Sequence, residues 1–162
     1  MRADEGMIKN RRMALFTLVW MGVIFIMSAF PADMSGRQSG FLAGLLMRVI
    51  GIFIRTEEGR EAARETVGFL VRKGAHMTEY AVLAVLLVKS FLPPGVRHAR
   101  REFARCAAWA LMVAVPYAGL DEFHQRFVAG RYGCVRDVLI DAGGMVIGIL
   151  ILFLAGRRVG RG

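Results

Sequence analysis

The sequence predicts an all-α protein: a four-span transmembrane helical bundle with an amphipathic interfacial helix in its first outer loop. Three observations carry this reading. Hydrophobic residues make up 56% of the 162, and mean hydropathy is positive, more apolar sequence than a soluble domain of this size needs for a core. Four apolar runs, approximately 13–30, 75–92, 104–120 and 138–155, approach the roughly 17–25 residues that cross hydrocarbon as a helix. The strongly polar clusters, finally, gather at the ends of these runs, on the side where the topology brings them together.

Taken in order, the run 13–30 follows Lys9, Arg11 and Arg12, as a signal peptide would. Its apolar stretch exceeds the usual core of about 7–15 residues, and no small-x-small cleavage site follows, so it reads as an uncleaved first helix. A Pro-Ala-Asp-Met-Ser-Gly turn then opens a long outer connection from Pro31 to Gly74. Within it Phe41–Ile54 is too short to span, and Phe41, Leu42, Leu45, Leu46, Val49, Ile50 and Phe53 recur at helical spacing, as in a helix lying in the interface. From Glu57 the chain is helical and Glu/Arg-rich, running into the second span. Glu57, Glu61, Glu65, Arg60 and Arg64 read as a solvated helix face with i,i+4 neighbours. Pro93-Pro94-Gly95 ends the second span and opens a short basic turn containing His98. The third span carries Pro116 just before its polar end, where it either opens space beside Asp121 or is a tolerated kink. No internal repeat, low-complexity tract or second domain interrupts the chain, so residues 1–162 form one membrane domain.

Charge decides between four spans and five. With four, the N-terminus, the 93–103 loop with its flanking Lys89 and Arg105, and the C-terminus share one side, which carries 12 basic and 3 acidic residues; the other side carries 10 of each. The whole net charge of +9 therefore falls on one side. The positive-inside rule places both termini in the cytoplasm and the polar clusters outside. The same bias accounts for the basic composition through anionic lipid head groups, with no nucleic-acid partner. Cys106 and Cys134 fall at opposite ends of the bundle, beyond disulfide reach. The ten methionines, Trp20 and Trp109 read as packing.

Three clusters hold the chemistry: Arg72-Lys73-x-x-His76-x-x-Glu79-Tyr80, Asp121-Glu122-x-His124-Gln125 with Arg131, and Asp137-x-x-x-Asp141. Helix rise puts Glu79 about 9 Å deeper than Lys73 and Asp141 about 6 Å deeper than Asp137, so the two acids are expected at comparable depth. The stripe of Asp137 and Asp141 continues as Gly144 and Gly148, and Ala107, Ala110, Ala114 and Ala118 lead to Asp121 and Gln125. Small residues in register with the acids point them into the bundle. One reading makes these groups structural, gluing helix ends together by ion pairs and hydrogen bonds. A second lets His76 and Glu79, with Glu122, His124, Asp137 or Asp141, ligate a divalent metal ion. A third makes His76, Glu79 and Asp121 the catalytic candidates, Glu79 or Asp121 acting as general base. There Arg131 and Lys73 hold an anion such as phosphate, and Arg72, Tyr80, Glu122, Gln125, Asp137 and Asp141 complete a ligand-binding set. With only Thr78 and Tyr80 as neutral nucleophiles and no serine expected near the site, a triad-type hydrolase is disfavoured.

At these residues the chain resembles the VanZ-like family of small bacterial membrane proteins. The resemblance is carried by Trp20-x-x-x-x-Phe25-x-x-Ser28 and Arg72-Lys73-x-x-His76-x-x-Glu79-Tyr80, then by Asp121-Glu122-x-x-Gln125-x-Phe127-x-x-Gly130-Arg131 and Asp137-x-x-x-Asp141-x-x-Gly144-x-x-x-Gly148. Order and spacing agree over most of the chain, with 31–71 and the cytoplasmic loop contributing little. The resemblance implies a multi-pass protein of the bacterial cytoplasmic membrane, with an envelope role that extends in the family to teicoplanin resistance. Two functions from different classes follow as expectations. One is a module whose outer pocket binds or shields a lipid-linked envelope precursor or a glycopeptide; the other is a membrane-embedded enzyme, metal-dependent or not, acting on such a substrate. A transporter of this size would require an oligomer.

Overall fold

The computed structural model describes the backbone of residues 2–93 and 100–159, and the side chains among them outside 2–9, 32–39 and 157–159. The expected basic turn at 94–99, with His98, lies outside the described residues. Within them the protein is all-α, with five helices and no strand: α1 Arg2–Ala29, α2 Ala32–Ile50, α3 Glu57–Phe91, α4 Arg100–Gln125 and α5 Val135–Val159.

Local chemistry explains most of the boundaries. Pro31, at φ −54° and ψ 153°, sits immediately before α2, where its fixed φ and missing N–H cost a helix nothing. The segment expected as a Pro-Ala-Asp-Met-Ser-Gly turn is therefore the first stretch of α2, which starts nine residues before the expected Phe41. Thr56 caps α3, its hydroxyl accepting from the Gly59 amide at 3.2 Å, and Glu57 and Glu58 add acids where the helix dipole favours them. From there α3 runs without a break through the Glu/Arg-rich stretch into the expected second span. At 35 residues it measures about 52 Å. Pro116 lies inside α4, which continues past it to Gln125.

Three helical stretches are long and apolar enough to cross a membrane: Asn10–Ala29, Arg100–Gln125 and Val135–Gly156. The remaining expected span, 75–92, lies in the second half of α3, where His76, Glu79 and Lys89 dilute the apolar sequence and keep it outside that group. Gly40–Ile50, within α2, is apolar but short.

The core forms around the C-terminal half of α3. Tyr80, Leu83, Ala84, Leu87 and Val88 are buried against Ile24 of α1, Cys106, Ala110, Ala114 and Ala118 of α4, and Met145 and Ile149 of α5. The expected alanine stripe thus does face inward. So do Gly144 and Gly148, which bring the α5 backbone against α3. A Cβ on Gly148 would lie 2.6 Å from the Ala81 carbonyl oxygen, and one on Gly144 would collide with that of Met77. Away from this core, Leu15, Phe16, Leu18, Met112, Leu120, Leu139 and Ile151 turn outward and are more than half exposed, the reverse of a water-soluble bundle.

Candidate functional site

The end of the bundle where α1 and α4 finish and α5 begins gathers the polar side chains. Asp121 lies at its centre, 3% exposed. Its Oδ1 accepts from Ser28 Oγ at 2.5 Å and its Oδ2 from Gln125 Nε2 at 3.0 Å. Asp121 is within electrostatic reach of His76, Glu79, Tyr80, Glu122, Arg131 and Asp141, so residues from α3, α4, α5 and the α4–α5 turn form one cluster.

Several expected site residues turn out to hold the architecture together. Lys73 and Asp137, each with a side chain under 20% exposed, form a 2.5 Å ion pair between α3 and α5, so Lys73 already has its anion. Glu122 Oε2 accepts from the Cys134 amide at 3.0 Å and anchors the turn leading into α5. Arg131 was expected to hold an anionic group, but its Nε donates to the Phe30 carbonyl at 2.9 Å and its Nη2 to that of Met27 at 3.2 Å. It thereby satisfies carbonyls at the C-terminal end of α1 that no further helical turn can reach. Partial burial pulls its pKa below the usual arginine range, and the nearby Asp121 opposes that shift. Gly130, at φ 73°, supplies the left-handed residue that turns the chain into Arg131.

Other members of the cluster are buried without partners. Tyr80 is completely buried, and its hydroxyl approaches Asp121 without closing a well-formed hydrogen bond. Asp141, 2% exposed, makes no hydrogen bond or ion pair among the described residues. His76 Nδ1 is buried and unsatisfied; the Glu79 carboxylate, at 3.9 Å, is too distant to bond it. The Gly144–Met77 and Gly148–Ala81 contacts set the α3–α5 register and place Asp141 nearer the level of His76 than of Glu79. Comparable depth for Glu79 and Asp141 is therefore not what the packing produces.

Arg72 is exposed and lines a separate cleft between α2 and α3, near enough to Arg131 for mutual repulsion. His124 stacks on Phe25, ring centroids 4.6 Å apart, with Nδ1 buried and unsatisfied. Its ring and the Glu122 carboxylate are thus engaged elsewhere than with His76 and Glu79. Among the described residues no three His, Cys, Asp or Glu side chains converge as a metal-ligand set. Both cysteines are free, Cys106 buried and Cys134 exposed.

Two contributors on α1 depart from the sequence expectation. Ser28, 2% exposed, corrects the expectation that no serine lies near the site. It is no ready nucleophile, since its partners are Asp121 and the Phe25 carbonyl rather than an imidazole. Trp20, read as packing, donates its Nε1–H to the Glu79 carbonyl at 2.9 Å and ties α1 to the middle of α3. The signal was the spacing of Thr17, Trp20, Ile24 and Ser28 at three to four residues, which makes one inward stripe on α1.

Compared with family models, the chain matches that of VanZ/LLP1 over residues 13–156, nearly its whole length. The chain belongs to the VanZ/LLP1 family. With the three spanning-length helices and the outward-turned apolar side chains, this makes it a VanZ-like membrane protein in a lipid bilayer. The matched region contains every member of the polar cluster as well as Trp20 and Ser28. No curated protein and no solved structure matches the chain.

Proposed function

We propose that this VanZ-like protein lies in the bacterial cytoplasmic membrane as a four-span bundle with both termini in the cytoplasm. Its polar end then faces outward, where the pocket around Asp121 binds or shields an envelope ligand, a lipid-linked precursor or a glycopeptide such as teicoplanin. The excess of basic residues at the opposite end supports the orientation. The second half of α3 serves as the remaining span because its inner face, Tyr80, Leu83, Ala84, Leu87 and Val88, packs against α1, α4 and α5, and His76 and Glu79 are partly buried.

One contrast carries the reading of the pocket. Lys73, Asp137, Glu122, Gln125 and Arg131 are hydrogen-bonded or ion-paired, as structural residues at a helix end should be. Beside them the Tyr80 hydroxyl and His76 Nδ1 are buried without a hydrogen-bond partner, and Asp141 is 2% exposed. Burying such a group unpaired costs about 1–3 kcal/mol, so two together beside a buried carboxylate favour a place that receives a polar ligand over glue alone. The enzyme alternative, with His76, Glu79 and Asp121 catalytic, gains no nucleophile–base pair from this arrangement, and binding is the reading we adopt.

The test is teicoplanin susceptibility of a bacterial host expressing the chain, compared with Tyr80→Phe, Asp141→Asn and Glu79→Gln. The expected result is a raised inhibitory concentration for the parent and loss of that effect in the variants, with membrane levels and melting temperatures preserved. An unchanged concentration for the parent would remove the glycopeptide; full effect in all three variants would remove the pocket.

A further inference from the structure

A second feature at the same end of the molecule lies outside the Asp121 cluster. Between α2 and the first half of α3 is a cleft of about 700 Å³. Its lining includes Arg48 from α2 and Arg60, Arg64 and Arg72 from α3, and no Asp or Glu among the described residues. Arg60, Arg64, Gly68 and Arg72 succeed one another at intervals of four and form one stripe of α3 turned toward α2. Over twelve residues that stripe is about 18 Å long.

A solvated face of alternating charge would interleave the two signs. Here they are sorted: Glu57, Glu61 and Glu65 occupy a different stripe, exposed and outside the cleft. Among the described residues only Arg60 is engaged, by Glu57 at 3.1 Å and the Ile54 carbonyl at 3.2 Å. Arg48, Arg64 and Arg72 make no hydrogen bond or ion pair among the described residues. Among the described residues nothing neutralises these three guanidinium groups, and an anion in the cleft would do so.

Three of the glycines lining the cleft border open space. A Cβ at Gly40, Gly44 or Gly68 would meet nothing within 4 Å, the opposite of Gly144 and Gly148. On its other face α2 is strongly apolar: Phe41 is 81% exposed, Val49 62% and Phe53, just beyond the helix, 82%. Gly40–Ile50 is too short to span, so this face suits the boundary between head groups and acyl chains. An arginine-lined cleft beside a lipid-immersed apolar face matches an amphiphile with a phosphate head and hydrocarbon tails, and guanidinium groups recognise phosphate bidentately.

We infer that the α2–α3 cleft binds the phosphate head group of an anionic lipid from the adjoining leaflet, the acyl chains lying along the apolar face of α2. This site is independent of the pocket around Asp121 and stands or falls separately from it.

The test uses the purified full chain in neutral detergent, with lipid retention counted by native mass spectrometry against added phosphatidylglycerol or phosphatidylcholine. The expected result is phosphatidylglycerol retained about tenfold more strongly, the preference falling to unity in Arg64→Gln/Arg72→Gln. Gly68→Leu keeps every arginine, meets no backbone and fills the cleft, and it should abolish the preference equally. Arg126→Gln/Arg136→Gln, at exposed positions of the same end outside the cleft, should retain it. Undiminished preference in Gly68→Leu, or equal loss in Arg126→Gln/Arg136→Gln, would reduce the effect to diffuse surface charge and overturn the site. Complete displacement of the lipid by millimolar inorganic phosphate would overturn the lipid assignment in favour of a free-anion site.

Discussion

The α3–α5 contact offers the sharpest test of how this bundle is built, because two neighbouring glycines answer differently to the same substitution. At Gly143 a new Cβ meets nothing within 4 Å, so Gly143→Ala should be neutral or raise stability by up to about 1 kcal/mol through reduced unfolded-state freedom. At Gly148 the Cβ would stand 2.6 Å from the Ala81 carbonyl oxygen, whereas ordinary contact begins at 3.4 Å, and at Gly144 the collision with Met77 is more severe. Restoring contact at Gly148 alone requires the helices to part by about 0.8 Å. Core overpacking of this kind costs about 1–3 kcal/mol, and separation also weakens the close Cα–H···O contacts such crossings use. Gly144→Ala should therefore fall about 2–3 kcal/mol below Gly143→Ala, a difference in Tm on the order of 5 °C. Thermal unfolding of the detergent-solubilised variants, followed by tryptophan fluorescence, makes the comparison. Coincident melting curves for Gly143→Ala and Gly144→Ala would refute the close approach, and with it the register that sets Tyr80 near Asp141.

Tyr80→Phe should leave the melting temperature unchanged or higher, since it deletes a buried hydroxyl that lacks a well-formed bond; a loss beyond about 1 kcal/mol would mean the hydroxyl has a structural partner. Ser28→Ala should destabilise by about 1–3 kcal/mol by taking the donor from Asp121, whereas Ser90→Ala, which breaks the Thr17–Ser90 contact at the other end, should leave the cluster intact; equal behaviour in binding assays would argue against a distinct polar end. For Lys73 and Asp137, single substitutions to Ala should each destabilise and the double variant should recover part of the loss, a coupling of about 1–2 kcal/mol in a double-mutant cycle; strict additivity would dissolve the ion pair as a structural link. A reporter fused after Gly162 should signal cytoplasm, and a periplasmic signal would overturn both four spans and the outward-facing pocket.

What the sequence determined by itself was the one-dimensional physics. Hydrophobic content and run length define helices, and their spacing marks which faces turn inward: Ala110, Ala114 and Ala118 leading to Asp121, and Gly144 and Gly148 following Asp141, all lie where periodicity puts them. The polar clusters, too, were legible as one end of the bundle, because helices joined by short turns must alternate direction. What only the tertiary structure decided was which polar group meets which. Arg131 could have faced an anion or a carbonyl, and the end of α1 and the residue after it happen to present Met27 and Phe30. Ser28 is 93 residues from Asp121 in sequence but one hydrogen bond from it in space, and no local pattern encodes that pairing. The register of α3 against α5 likewise depends on backbones touching at Gly144 and Gly148, and it leaves Asp141 and Tyr80 unpaired while Lys73 and Asp137 find each other. The α2–α3 arginines make the same point: helical spacing puts Arg60, Arg64 and Arg72 on one stripe, but only the docking of α2 beside it makes that stripe the wall of a cleft. Hydrophobic periodicity selects a face, but hydrogen bonds and ion pairs are short-ranged and directional, so their partners are settled only once the helices have docked.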